Sequence, residues 1–148
     1  MDELIDYRPD GSVAFAVDDD KIVWRPPKVK HLRAARNLQF DISNQVRELR
    51  DQIRELQVQA AGAKSEKKRA ELATQVDADS RAMLATQTDL MIDWIVQVND
   101  MLNIDGTLPS DSDEWPAWLP TLNFATGLIR HWGAHPFGSN NGATRNSP

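Results

Sequence analysis

The sequence predicts a mainly α-helical protein: a long antiparallel helical hairpin, a C-terminal helix packed across its base, and a small N-terminal β-hairpin. Three observations carry this. Ile42, Val46, Leu49, Ile53, Leu56 and Ala60 are spaced 4, 3, 4, 3, 4, the heptad spacing of a helix that buries one seam. Beyond a break at "AAGAKSEKK", a second helical stretch carries Ala73, Val76, Met83, Leu90, Trp94, Ile95, Val98, Met101 and Leu102. Near the start, Val13, Phe15 and Val17 alternate with other residues, and Ile22 and Trp24 answer them across an Asp-rich turn.

Taken in order, residues 1–12 are polar and acidic and close on "PDG", a turn signal. The β-hairpin spans 13–24. A lone two-stranded hairpin is marginal in water, so its apolar face must be laid on something else. Pro26 and Pro27 end its second strand, because proline cannot extend a ladder, and they set the start of a helix. The first helix is expected over 29–61, with Gly62 at its end, and the second over 65–103, with Ser65 as its cap and "NIDG" as its stop. A turn near Ala63 sets Leu56 by Ala70, Ile53 by Ala73, Val46 by Ser80 and Leu32 near Trp94. At the helical rise each arm is roughly 50 Å long, more than a small core covers. Its distal half sets aliphatic residues against alanines, Ser80 and Gln87, so it is either completed by neighbouring subunits or simply solvated.

"IDGTLPSDSDEWPAWLPTL" reads as an acidic loop that ends in a Trp-Pro-Ala-Trp knot. The third helix is expected over 119–132, with Leu122, Ala125, Leu128, Ile129 and Trp132 on one face and Gly133 closing it. Trp24, Trp94, Trp118, Leu128 and Trp132 are the expected core anchors, the last four in one cluster. One domain over 1–135 and a flexible tail over 136–148 complete the reading.

The chain has 148 residues, 41% of them hydrophobic and 26% charged, enough for one modest core. Its net charge of −5 argues against nucleic acid as the main partner. The absence of cysteine removes disulfides, Cys–Zn sites and thiol nucleophiles together. No apolar run approaches the ~20 residues that span a bilayer, so no membrane partner is expected. The acidic N-terminus "MDELIDYRPDG" lacks a basic, then apolar, leader, so the protein is expected to stay where it is made.

Two candidate metal patterns fail on their own terms. His131 and His135 are four apart, but Gly133 and Pro136 interrupt the helix and no third ligand is evident. Among Asp100, Asp105, Asp111, Asp113 and Glu114, taking Gly106 as the loop glycine puts Met101 and Ser112 where a calcium loop needs carboxylates. No nucleophile elbow, phosphate loop or dinucleotide fingerprint occurs, and no base stands beside an activatable group. The sequence therefore predicts no catalytic residues, no metal and no cofactor.

One pattern does point to binding. Arg25, Lys28, Lys30, Arg33 and Arg36 come without an acid before Asp41. Two of the lysines are expected in the first helical turn, where the helix dipole disfavours positive charge by ~0.3–1 kcal/mol each. Such a cost points to an acidic partner: the chain's own Asp105–Glu114 loop, its N-terminal acids, or those of a neighbouring subunit. A merely solvated basic face is the plainer alternative.

The order of parts is also familiar. A short hairpin runs into "WRPPKVKHLRAARN"; a helical middle, an acidic loop with "EWPAWL", "LIRHWGAHPFG" and a small polar tail follow. This resembles the tail assembly chaperones of long-tailed, siphovirus-type bacteriophages that infect actinobacteria, over about residues 13–40 and 112–138. The resemblance implies a small helical protein of the host cytoplasm that self-associates and coats the tape-measure protein while the tail tube polymerises. The regular heptads of 42–60 depart from that family. They favour the alternative of a virion structural protein, a capsid decoration or tail component built on a coiled-coil hairpin. A coiled-coil DNA-associated protein is a third reading.

Overall fold

The computed structural model describes residues 5–134. The expected tail over 136–148, His135 and the first acids of the chain lie outside the described residues. The elements are β1 (Ile5–Tyr7), β2 (Val13–Val17), β3 (Asp20–Trp24), α1 (Val29–Gly62), α2 (Glu66–Leu102), β4 (Asn103–Asp105) and α3 (Leu122–Ala134). A single 3-10 turn at Ser112–Glu114 interrupts the loop before α3. With helices of 34, 37 and 13 residues, the protein is mainly α with a small antiparallel sheet.

The two alternating runs are β2 and β3, paired from Val13↔Trp24 through Phe15↔Ile22 to Val17↔Asp20. Their two-residue connection puts Asp18 at φ 55, the positive value that a tight hairpin turn demands of its first central residue. The sheet is larger than the expected hairpin. β1 adds to β2 with Ile5↔Phe15, and β4 adds to β3 with Val23↔Asp105, giving the order β1-β2-β3-β4. Three-residue strands are too short to show an alternation, so "IDY" read as part of an acidic leader and "NID" as a helix stop. Between β1 and β2, Gly11 takes φ 93, and the Asp10 carboxylate accepts from the Ser12 hydroxyl at 2.6 Å and the Ser12 N–H at 2.8 Å. Those two bonds hold the Asp10 carboxyl below its ordinary range.

The residues expected as one domain divide into two compact units. One combines the chain up to Gln39 with the chain from Met91 onward; the other is Phe40–Leu90. All five tryptophans belong to the first.

In that first unit the hairpin's apolar face meets other aromatics. Phe15 stands edge-on to Trp24 at 4.9 Å, to Phe124 at 5.6 Å and to Trp118 at 5.9 Å, and Trp118 stands edge-on to Phe124 at 5.3 Å. Edge-to-face pairs of this kind add about 0.5–1.5 kcal/mol each beyond the area they bury. Trp24, Trp94, Leu128 and Trp132 are fully buried, while Trp118 is half-buried. Two indole N–H groups find partners far away in sequence: Trp24 donates to Asn99 Oδ1 at 2.8 Å and Trp94 to the Ala35 carbonyl at 3.0 Å. Among the described residues Trp94 and Trp132 have no ring partner, so the ring cluster is Phe15, Trp24, Trp118 and Phe124.

α3 starts at Leu122 rather than 119, because Thr121 caps it. The Thr121 hydroxyl accepts from the Phe124 N–H at 3.2 Å and donates to the Trp118 carbonyl at 2.8 Å. The helix runs through Gly133 to Ala134 instead of closing before it.

In the second unit, Ile42, Val46 and Ile53 are buried and Leu49, Leu56 and Ala60 half-buried, so the heptad stripe of α1 is its inner face. α2 turns differently from the expected register. Ala70 and Ala73 are exposed, whereas Leu72 is buried and Val76, Met83 and Leu90 are half-buried. Those four are spaced 4, 7, 7, a heptad stripe with far more apolar area than the alanines offer. Ser65 caps α2, its hydroxyl accepting from the Lys68 N–H at 3.0 Å.

Candidate interaction surface

Proline fixes where the basic stretch becomes helical. Neither Pro26 nor Pro27 can donate a backbone hydrogen bond, and α1 begins two residues later, with the Lys28 carbonyl accepting from the Leu32 N–H at 2.9 Å. Lys28 is therefore the cap and Lys30 alone stands in the first turn, one lysine rather than the two expected. Arg25 is anchored through its backbone, its N–H donating to the Leu102 carbonyl at 2.9 Å. At 100° per residue, Lys30 and Arg33 fall on the side of α1 opposite buried Ala35, flanked by Val29, which is 49% exposed.

The side chains of Arg25, Lys28, Lys30, Arg33 and Arg36 are all exposed, and among the described residues none of them enters an ion pair. Arg36 has a local explanation. A Cβ placed on Gly133 would come within 3.2 Å of Arg36 Nη2, so this guanidinium sits at the C-terminal turn of α3, where the helix dipole favours a cation. The other four have none. Half-buried His31 lies among them with its Nδ1 buried and without a hydrogen-bond partner. Burial first, then the charges of Lys30, Arg25 and Lys28, push its imidazole below the ordinary range.

The acidic loop does not serve as the intramolecular partner of this patch. Asp105 lies in β4 opposite Val23, and Asp111 accepts from the Asp113 N–H at 3.0 Å to cap the 3-10 turn. Trp115 holds the same loop closed by donating to the Pro109 carbonyl at 2.7 Å.

An acidic face that the sequence reading missed lies on α2. Met91, Trp94, Ile95, Val98 and Leu102 are its buried side, and Asp93 and Asp100 fall on the opposite, exposed side. Between them Val96 is 42% exposed; just past the helix, β4 exposes Ile104 to 56% beside Asp105. The apolar positions of α2 were read from the sequence, but its polar positions carry the signal: carboxylates seven apart on the side away from the core.

Among the described residues no group of three or more His, Asp or Glu side chains stands close enough to hold an ion. His131 lies against Tyr7, ring centroids 5.1 Å apart, and burial raises the Tyr7 phenol while nearby Arg130 lowers it in part. No helix of the described residues is long and apolar enough to cross a membrane.

Comparison of the chain with protein-family models, with curated proteins and with solved structures finds no match.

Proposed function

We propose that this chain is a phage tail assembly chaperone, which acts by reversible, stoichiometric binding rather than by catalysis. In this reading it covers apolar helical surface on the tape-measure protein until tail-tube subunits displace it, and it self-associates while doing so. The observation that carries the reading is the apolar surface that Phe40–Leu90 leaves in water. Phe40, Val58 and Leu84 are 65%, 62% and 60% exposed, on helices that offer little else to cover them. Large exposed apolar side chains on a small helical protein are what a helix-binding partner needs. The resemblance of residues 13–40 and 112–138 to the chaperone family supports the same choice.

α1 and α2 form one long antiparallel hairpin: only three residues, 63–65, join them, and Trp94 near the end of α2 bonds to Ala35 near the start of α1. Such a hairpin presents a long, thinly covered helical surface to a partner helix.

Co-expression with the candidate tape-measure protein, followed by pull-down, tests the function directly. Stable co-purification that Phe40→Ser and Leu84→Ser abolish is the expected result. Mass spectrometry of purified particles then separates the readings. Stoichiometric presence in mature virions overturns the chaperone and establishes a virion structural protein, whereas salt-sensitive DNA binding with no tape-measure binding moves the protein to the third reading.

A further inference from the structure

We infer that the basic face of α1 and the acidic face of α2 are the two halves of one head-to-tail contact, so that copies of this chain assemble in an open or ring-closing series. The inference rests on the self-association in the proposed function and adds its geometry. Lys30 and Arg33 stand near exposed Val29 on one side of α1, and Asp93 and Asp100 stand to either side of exposed Val96 on one side of α2. Each face therefore sets an exposed valine among charges of one sign, and the two signs are opposite, as complementary interfaces require.

Lys30 and Arg33 do not meet Asp93 and Asp100 within one chain. Trp94, on the buried side of α2, donates its indole N–H to Ala35 on the buried side of α1. The helices look at each other through those sides, so Lys30 and Arg33 point away from Asp93 and Asp100. Among the described residues none of these charges is paired. A second copy supplies the missing partner to each face. Because the patches differ, each copy keeps one free patch after binding, and the contact propagates unless the rotation closes a ring.

Sedimentation of the full chain tests this with paired charge reversals, Lys30→Glu with Arg33→Glu and Asp93→Lys with Asp100→Lys. The wild type at low salt is expected to grow beyond a dimer as concentration rises and to dissociate at high salt. Each reversed variant alone sets like charges face to face and associates more than about tenfold more weakly. An equimolar mixture of the two restores assembly, because every basic face then meets an acidic one. That recovery also shows that both variants are folded.

A dimer that never grows overturns the head-to-tail geometry, as does a mixture that stays dissociated or a variant that assembles like the wild type. In each case self-association itself stands. A wild type that remains monomeric at every concentration and low salt removes self-association as well, while the pull-down with tape-measure protein judges the chaperone reading separately.

Discussion

Gly106 shows how much one residue controls. It takes φ 87, and a Cβ there would sit 2.2 Å from the Lys21 carbonyl oxygen and 2.8 Å from the Ile22 Cα, both backbone atoms of β3 that cannot swing aside. Gly106→Ala is expected to cost at least ~2–3 kcal/mol, from the left-handed backbone together with the displaced strand, as measured by urea unfolding. Gly11→Ala, at φ 93, is also expected to destabilise, by at least the ~1–2 kcal/mol of a left-handed backbone. The glycine in "NIDG" was legible as a stop; its approach to β3 was not, since it depends on a pairing between distant segments. His31 carries a second prediction. Its folded pKa lies below the ordinary 6.5, so above that pH neither state binds the proton and the residue contributes no pH dependence. As pH falls through 6.5 toward the folded value, the unfolded chain takes up the proton while the native one does not, and stability is lost. His31→Gln should flatten that loss in unfolding experiments between neutral and mildly acidic pH; an unchanged slope would place its cause elsewhere.

The helices differ in how openly they declare their inner faces. In α1 every heptad position from Ile42 to Leu56 is a large aliphatic residue, and the stripe could be read directly. In α2 the equivalent positions include Asp79, Ser80, Thr86 and Gln87, half-buried polar residues that dilute the pattern, so exposed Ala70 and Ala73 read as inner positions while buried Leu72 did not. Substitutions should follow the observed faces. Ile42→Ala, at 5% exposure, is expected to cost about 2–5 kcal/mol, toward the lower end where a two-helix layer can relax. Val58→Ala, at 62% exposure, should stay within about 0.5 kcal/mol of wild type. Ser65→Ala removes the bond to the Lys68 N–H and should cost about 1 kcal/mol, seen in the same denaturation series. β1 and β4 mark the lower limit of sequence reading: three residues of strand have backbone partners but no period of their own.

For the molecule as a whole, the sequence made the helical class and the basic stretch visible. It concealed the division into two units and the acidic face, because both depend on which sides of α1 and α2 turn inward. The units are built unequally. One holds the sheet, α3 and the ring cluster, whereas Phe40–Leu90 has a single seam with Phe40, Val58 and Leu84 in water. Backbone amides of Phe40–Leu90 are therefore expected to exchange with deuterium faster than those of β2, β3 and α3, since opening there exposes less apolar area. The placement of all five indoles in the sheet-bearing unit has an optical consequence. Intrinsic emission watches that unit alone, while ellipticity at 222 nm sums the helices of both. Heating one sample under both probes turns the chain into its own reporter: two coincident curves mean a single cooperative transition, and an ellipticity loss that precedes the emission shift times the melting of a segment that carries no indole of its own.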